Sequence, residues 1–215
     1  MKKLLTLALA ILFIMPAMAQ EEGEKEKDPG DDINTLLSRV EVDFTGGFIG
    51  PELKVGNVYD DNSLLIGGRM GIILNRKVSF GLGGYGLVSR SSFDVNEITQ
   101  EPKIRIGMGY GGLVTEYILF SNKAVHFSIP VLVGAGGITL YEDDSDFWDD
   151  DWYSVDNSAA FVLEPGVNIE VNLTKYFRLH AGASYRYFYG TDLLYIKDGD
   201  LSDLTYNFGV KFGFF

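Results

Sequence analysis

Residues 204–215, LTYNFGVKFGFF, leave this chain few folds to choose from. Leu204, Tyr206, Phe208, Val210, Phe212 and Phe214 put an apolar side chain at every second position, with Thr205, Asn207, Gly209, Lys211 and Gly213 between them. A period of two is a β-strand with one greasy face. Running as far as Phe215, it exposes a row of unpaired N–H and C=O groups unless another strand closes against it. Closure into a barrel removes that edge, and in lipid only a helix or a closed barrel satisfies every backbone polar group. The amino terminus indicates which environment applies. Lys2 and Lys3, an apolar run from Leu4 to Met15, and Ala17-Met18-Ala19 before Gln20 make residues 1–19 a cleavable secretory signal. Its apolar run is shorter than the roughly 20 residues of a spanning helix. The sequence holds no Cys, which excludes a lipid anchor on Cys and any disulfide.

Eight strand segments follow Val40, and no amphipathic helix is long enough to act as a crossover. In the first, the apolar phase slips from Val42 and Phe44 to Leu53 and Val55 across Gly46-Gly47, as at a β-bulge. Leu64 to Leu74 and Lys77 to Ser89 alternate regularly, joined by a tight turn at Asn75-Arg76. In Lys103 to Phe120 the pattern predicts one face of Ile104, Ile106, Met108 and Tyr110 and a second phase slip near Gly111-Gly112. Val125 to Tyr141, Phe161 to Asn172 and Phe177 to Tyr187 alternate again, and the closing strand is the eighth. The connections at 75–76, 121–123 and 174–175 are short, whereas 57–62, 91–102, 142–158 and 191–203 are longer and mostly polar. That asymmetry suits short periplasmic turns facing longer extracellular loops. The expected fold class is all-β, an eight-stranded antiparallel up-and-down transmembrane β-barrel. It occupies residues 39–215, after an acidic, low-complexity periplasmic leader at 20–38 that lacks apolar periodicity. Aromatics near the segment ends predict two girdles: Phe120, Tyr176, Phe177, Phe212 and Phe214 at the short turns, and Tyr85, Tyr110, Tyr185, Tyr187 and Tyr206 toward the loops.

The face opposite the apolar one is rich in glycine, including Gly67, Gly71, Gly81, Gly83, Gly107, Gly109, Gly134, Gly136, Gly166, Gly182 and Gly209. A water-facing exterior would carry Lys, Glu and Thr there, so that face is expected inside a narrow lumen, where glycine leaves room for large neighbours. The predicted lumen charge network is Arg69, Arg105, Glu164, Glu170, Arg178, His180, Arg186 and Lys211, with Glu41 and Asp43 also inward. Eight strands leave space for side chains but not for an open pore. Removing Lys2 and Lys3 from the 18 basic residues leaves 16 against 30 acidic ones, a formal charge of −14. Such a protein repels phosphate backbones, which argues against nucleic acid.

Gly67-Gly68-Arg69, Gly81-Leu82-Gly83-Gly84-Tyr85-Gly86, Gly109-Tyr110-Gly111-Gly112 with Glu116-Tyr117, His126-Phe127 before Gly134-Ala135-Gly136-Gly137, and Glu164-Pro165-Gly166 before Tyr185-Arg186-Tyr187 resemble a glycine-rich family of bacterial outer-membrane β-barrels. The broader likeness is to the small OmpA/OmpX-like barrels. The resemblance implies a fold and an outer-membrane location in a Gram-negative bacterium, and no catalytic residues. An aromatic final residue in that family continues the outward face, so the register of Phe215 is the open point.

Three motifs compete with this reading. Gly81 to Gly86 matches G-x-G-x-x-G, but a Rossmann fingerprint needs a helix after the strand. His126 and Ser128 resemble the His/Ser pair of lipid A deacylases, yet Glu142 as a third member falls at the opposite rim of the barrel, and a triad is defined by geometry. Residues 142–156, EDDSDFWDDDWYSVD, hold Asp144, Asp146, Trp148, Asp150 and Trp152 in an extracellular acidic loop. Its carboxylates are the ligand type of a weak Ca²⁺ or Mg²⁺ site, but the EF-hand spacing is missing and a solvated, self-repelling loop is expected. No catalytic, metal or cofactor residues are therefore expected. The predicted role is structural or surface-interacting, with outer-membrane lipid and lipopolysaccharide as partners, an extracellular partner left open, and a monomeric state. The alternatives are a lipid-modifying enzyme and a narrow gated pore.

Overall fold

Strand alternation is realised as one closed antiparallel sheet. The computed structural model describes residues 43–59, 61–89, 91–94, 103–142 and 154–215. The expected export signal and leader, Glu41, and the acidic-loop residues Asp144, Asp146, Trp148, Asp150 and Trp152 lie outside these. The elements are β1 (Phe44–Val58), β2 (Asp61–Leu74), β3 (Val78–Leu87), β4 (Ser91–Asp94), β5 (Lys103–Leu119), β6 (Val125–Glu142), β7 (Ser154–Thr174), β8 (Phe177–Tyr189), α1 (Asp198–Leu201) and β9 (Asp203–Phe214). The sheet runs β3-β2-β1-β9-β8-β7-β6-β5-β4, and β3 also pairs with β5. β3 and β4 form one stave, because β3 pairs with β5 as far as Gly86↔Gly109 and β4 resumes at Ser91↔Ile106. The result is an eight-stave, up-and-down barrel.

The outward face carries the apolar residues read from the sequence. On β9, Phe212 is 48% exposed while its lumen-facing neighbour Lys211 is 1% exposed. Leu53, Ile66, Met70, Ile72, Phe80, Leu82, Val167 and Ile169 are likewise exposed and continue that band around the other staves. An aromatic girdle surrounds the short-turn end, where Tyr176 stacks edge-on against Phe214 at 5.4 Å and Phe177 lies 4.9 Å from Phe212.

Several expectations need correction. The bulge in β1 lies where the phase slip predicts it, with the register shifting between Phe44 and Gly46. The second slip, near Gly111-Gly112, does not occur: β5 pairs with β6 without a shift, and its even positions stay buried through Val114, Glu116 and Ile118. What changes there is the chemistry of one continuous face. Ile104, Ile106, Met108 and Tyr110 are buried inside the barrel, which places Gly107, Gly109 and Arg105 on the opposite, outward face. Tyr85 and Tyr110 are lumen residues, so the loop-side girdle keeps Tyr185, Tyr187 and Tyr206. Asp43 precedes β1 and is exposed. The connection expected over 57–62 is tighter, because Val58 still pairs with Asp61.

The lumen therefore has two layers. Toward the long loops it is an apolar core of Leu65, Ile106, Met108, Ile138, Leu140, Val162 and Phe188. From the middle to the short turns it is polar and charged. Residues 190–202 fold over the long-loop mouth and add Ile196 and Leu201 to the apolar core. Phe215 turns inward to pack against the Phe48, Ile73 and Ile118 cluster at the other end, which settles its register.

Candidate functional site

Alternation places every second side chain of a stave in the lumen, and an eight-stave lumen is narrow enough for those side chains to meet. Glu52 from β1, Arg69 from β2 and His180 from β8 form the central cluster. Arg69 Nη2 lies 2.7 Å and His180 Nε2 2.8 Å from Glu52 Oε2, while the Tyr85 hydroxyl donates to Oε1 at 3.1 Å. The carboxylate is an acceptor, so that bond assigns the proton to His180 Nε2. Glycine makes the cluster possible: a Cβ at Gly209 would sit 2.5 Å from His180 Cε1. Lys54 adjoins it, with Nζ 2.6 Å from Glu164 Oε1 and 3.5 Å above the centroid of the Tyr85 ring. Glu164 also accepts from the Tyr110 hydroxyl at 2.8 Å and the Ser184 hydroxyl at 2.5 Å.

A second cluster lies nearer the short turns. Lys211 Nζ bridges Glu116 at 2.7 Å and Glu170 at 2.5 Å. Ser128 donates to Glu170 Oε1 at 2.8 Å, and His126 Nε2 meets Oε2 at 3.2 Å. His126 and Ser128 thus share a carboxylate, but it is Glu170, and the hydroxyl points at the carboxylate rather than at the imidazole. All three side chains are fully buried. That arrangement fills a lumen and differs from a triad, in which the hydroxyl meets the imidazole.

Of the predicted network, Arg69, Glu164, Glu170, His180 and Lys211 meet in these clusters, and Arg178 stands at the edge of the second with Nη1 3.6 Å from Glu170 Oε2. Arg186 is in the lumen but reaches carbonyls instead of carboxylates: Nε donates to Leu201 O at 2.9 Å and Nη2 to Asn57 O at 2.8 Å. It ties the loop over the mouth to the wall. Arg105 does not belong to the network, since it shares a strand face with outward Gly107 and Gly109. Sequence reading missed Glu52, Lys54 and Glu116. The outward assignment of Leu53 and Val55 already implied the first two, and unbroken parity along β5 would have revealed the third.

Besides the side chains, a void of about 20 Å³ remains between Glu52, Lys54, Arg69, Tyr85 and Glu164. That volume accommodates one water. Removing both charges of such a pair from water is costly, so the clusters add less stability than their distances suggest, while breaking one partner is strongly destabilising.

A closed antiparallel barrel of eight staves, apolar outside and ionic within, has the architecture of the small outer-membrane β-barrels. Among solved structures, the chain resembles Neisserial surface protein A, with 10% identity over 80% of this chain and 98% of that one and a TM-score of 0.54. It also resembles a major outer membrane protein from Thermus thermophilus, with 11% identity over 78% and 99% and a TM-score of 0.51. OprG from Pseudomonas aeruginosa aligns with 14% identity over 80% and 97% at a TM-score of 0.50. No family model and no curated protein matches the chain. At these identities the likeness is one of fold.

Proposed function

We propose that this chain is an exported outer-membrane β-barrel of a Gram-negative bacterium that is closed to solutes and acts structurally or through its extracellular surface. The carrying observation is the lumen filling: Glu52, Arg69, Lys54, Glu164, Lys211, Glu116 and Glu170 are paired and buried, below an apolar layer and a docked loop. The exposed apolar band supports a lipid environment, because water-soluble monomers rarely expose contiguous apolar patches beyond a few hundred Å². In this orientation the short turns face the periplasm, and the long connections, including the acidic segment at 142–156, face outward to lipopolysaccharide or another extracellular partner. The barrel acts as a monomer and uses no metal, cofactor or catalytic residue.

Folded protein in detergent should migrate faster on a gel unheated than boiled, as a closed barrel does. In planar bilayers it should show no conductance steps, and stepwise current would replace this reading with a pore. Lipid A from cells with and without the gene should have identical mass spectra. A mass difference would indicate a lipid-modifying enzyme.

A further inference from the structure

The three short connections, residues 75–77, 120–124 and 175–176, bring Arg76, Lys77, Lys123 and Lys175 to one end of a chain whose net charge is −12, and they carry no carboxylate. All four side chains are exposed. Their backbones are stitched to neighbouring staves. Arg76 N donates to Thr45 Oγ1 at 3.0 Å, Ile118 N to Lys77 O at 2.6 Å, Asn172 Nδ2 to Lys123 O at 3.0 Å and Gly213 N to Tyr176 O at 3.0 Å. The cations therefore stand on a fixed rim rather than on free loops. Beside that rim, Phe44, Phe120, Tyr176, Phe212 and Phe214 are exposed on the outer wall. Lys175 Nζ lies 4.8 Å from the centroid of the Tyr176 ring, which packs edge-on against Phe214. Aromatic rings at the edge of an apolar band mark the depth of lipid headgroups, so Lys175 is held at that depth. Among the described residues, Asp43 is the exposed carboxylate at this end. The described part of the long-loop end carries Asp61, Asp156, Asp192, Asp198, Asp200 and Asp203 instead. An anionic surface is attracted to the first end and repelled by the second.

We propose that the short-turn rim binds the headgroups of anionic phospholipids, with Arg76, Lys77, Lys123 and Lys175 on the phosphates and the aromatic girdle among the adjoining acyl carbons. Arg and Lys reach phosphate oxygens through charge-assisted hydrogen bonds, and cations at a bilayer surface act additively. The proposal rests on the lipid-embedded reading of the barrel and names the lipid class at one end of it.

The test places folded full-length protein in phosphatidylcholine bilayers and compares chain-spin-labelled phosphatidylglycerol with phosphatidylcholine carrying the same label. Spin resonance separates lipid slowed at the barrel wall from bulk lipid. Phosphatidylglycerol should associate about threefold more strongly than phosphatidylcholine at low salt. In about 1 M NaCl, where charges are screened beyond about 3 Å, the two should become equal. The variant R76Q/K77Q/K123Q/K175Q keeps the backbone bonds of the turns, so its heat-modifiable mobility should be unchanged while its preference is lost. R76Q/K77Q and K123Q/K175Q should each lose part of it. Equal slowing of both lipids by the unaltered protein at low salt would overturn the proposal and leave the barrel in lipid. A preference that survives in the fourfold variant, or in about 1 M NaCl, would overturn the assignment to rim charge. Absence of any slowed phosphatidylcholine would overturn the lipid-embedded reading and this proposal together.

Discussion

Lys211 Nζ holds two carboxylates at once, Glu116 and Glu170. Replacing it with Met leaves both carboxylates buried together without their shared ammonium, and losing one partner of a buried pair costs about 3–5 kcal/mol. Urea unfolding of K211M in lipid vesicles should show a loss of that size, and K211M/E116Q should recover part of it. Equal stability of the two variants would mean that Glu116 and Glu170 are not coupled through Lys211. Gly209 tests space rather than charge. A Val there drives its Cβ into the His180 ring, with Nε2 only 2.7 Å from the ideal position, and forces His180 from Glu52. Overpacking of this kind costs about 1–3 kcal/mol. The same vesicle unfolding assay reads the difference. Individual lumen charges were legible wherever one strand face was plainly apolar, as on β7, where Glu164 and Glu170 sit between Leu163, Pro165, Ile169 and Val171. Which charge meets which was not legible, because partners such as Lys54 and Glu164 lie 110 residues apart.

At the scale of elements, the loop over the long-loop mouth is pinned by hydrogen bonds besides that of Arg186 to Leu201 O. Asp198 accepts from the backbone N–H of Thr191 at 2.8 Å and of Gly190 at 3.2 Å, and Tyr59 N donates to Asp200 O at 2.8 Å. Partial burial raises the Asp198 pKa, but those amide bonds outweigh it, and the net direction is downward from the ordinary carboxylate value. A carboxyl whose folded pKa is depressed favours the docked loop above its unfolded pKa and stops doing so as pH falls through the folded value. The amide signals of Gly190 and Thr191 should therefore hold steady at neutral pH and move only below the usual carboxylate pKa of about 4. Asp198→Ala should lack that transition, and a transition persisting in the variant would assign it elsewhere. Three staves also carry prolines that cannot donate to the ladder. The β1–β9 pairing skips Pro51, β6–β7 skips Pro130 and β7–β8 skips Pro165. Those gaps follow from the residue type alone. The docking of α1 does not, since four residues carry too little periodicity to announce a buried Leu201.

For the whole molecule, the decisive property is which face meets lipid. An Arg at the middle of a lipid-facing strand costs about 2–4 kcal/mol, falling to about 0–1 kcal/mol near the interface. Phe208 lies midway along β9, whereas Leu204 lies at its loop end. F208R should therefore destabilise the barrel in vesicles by an amount in the first range, and L204R by one in the second. Equal and small effects would mean that the exterior faces water. The barrel interior is the other global property. Its apolar half arises because β5 and β6 carry Ile104, Ile106, Met108, Ile138 and Leu140 inward while placing Gly107, Gly109 and Gly137 outward. Over that stretch hydrophobicity points the opposite way from the rest of the barrel, and the assumption that grease faces lipid misassigned Arg105 and Tyr110.

Alternation and loop asymmetry determined strand number, direction and closure, because a period of two and the need to satisfy every backbone group are local properties of the chain. Tertiary structure decided what fills the cylinder: which Glu takes which Lys, which tyrosines turn inward, and that Phe215 and Leu201 close opposite ends. Those outcomes depend on side chains brought together from distant staves by the barrel's stagger, a relation that no single strand contains.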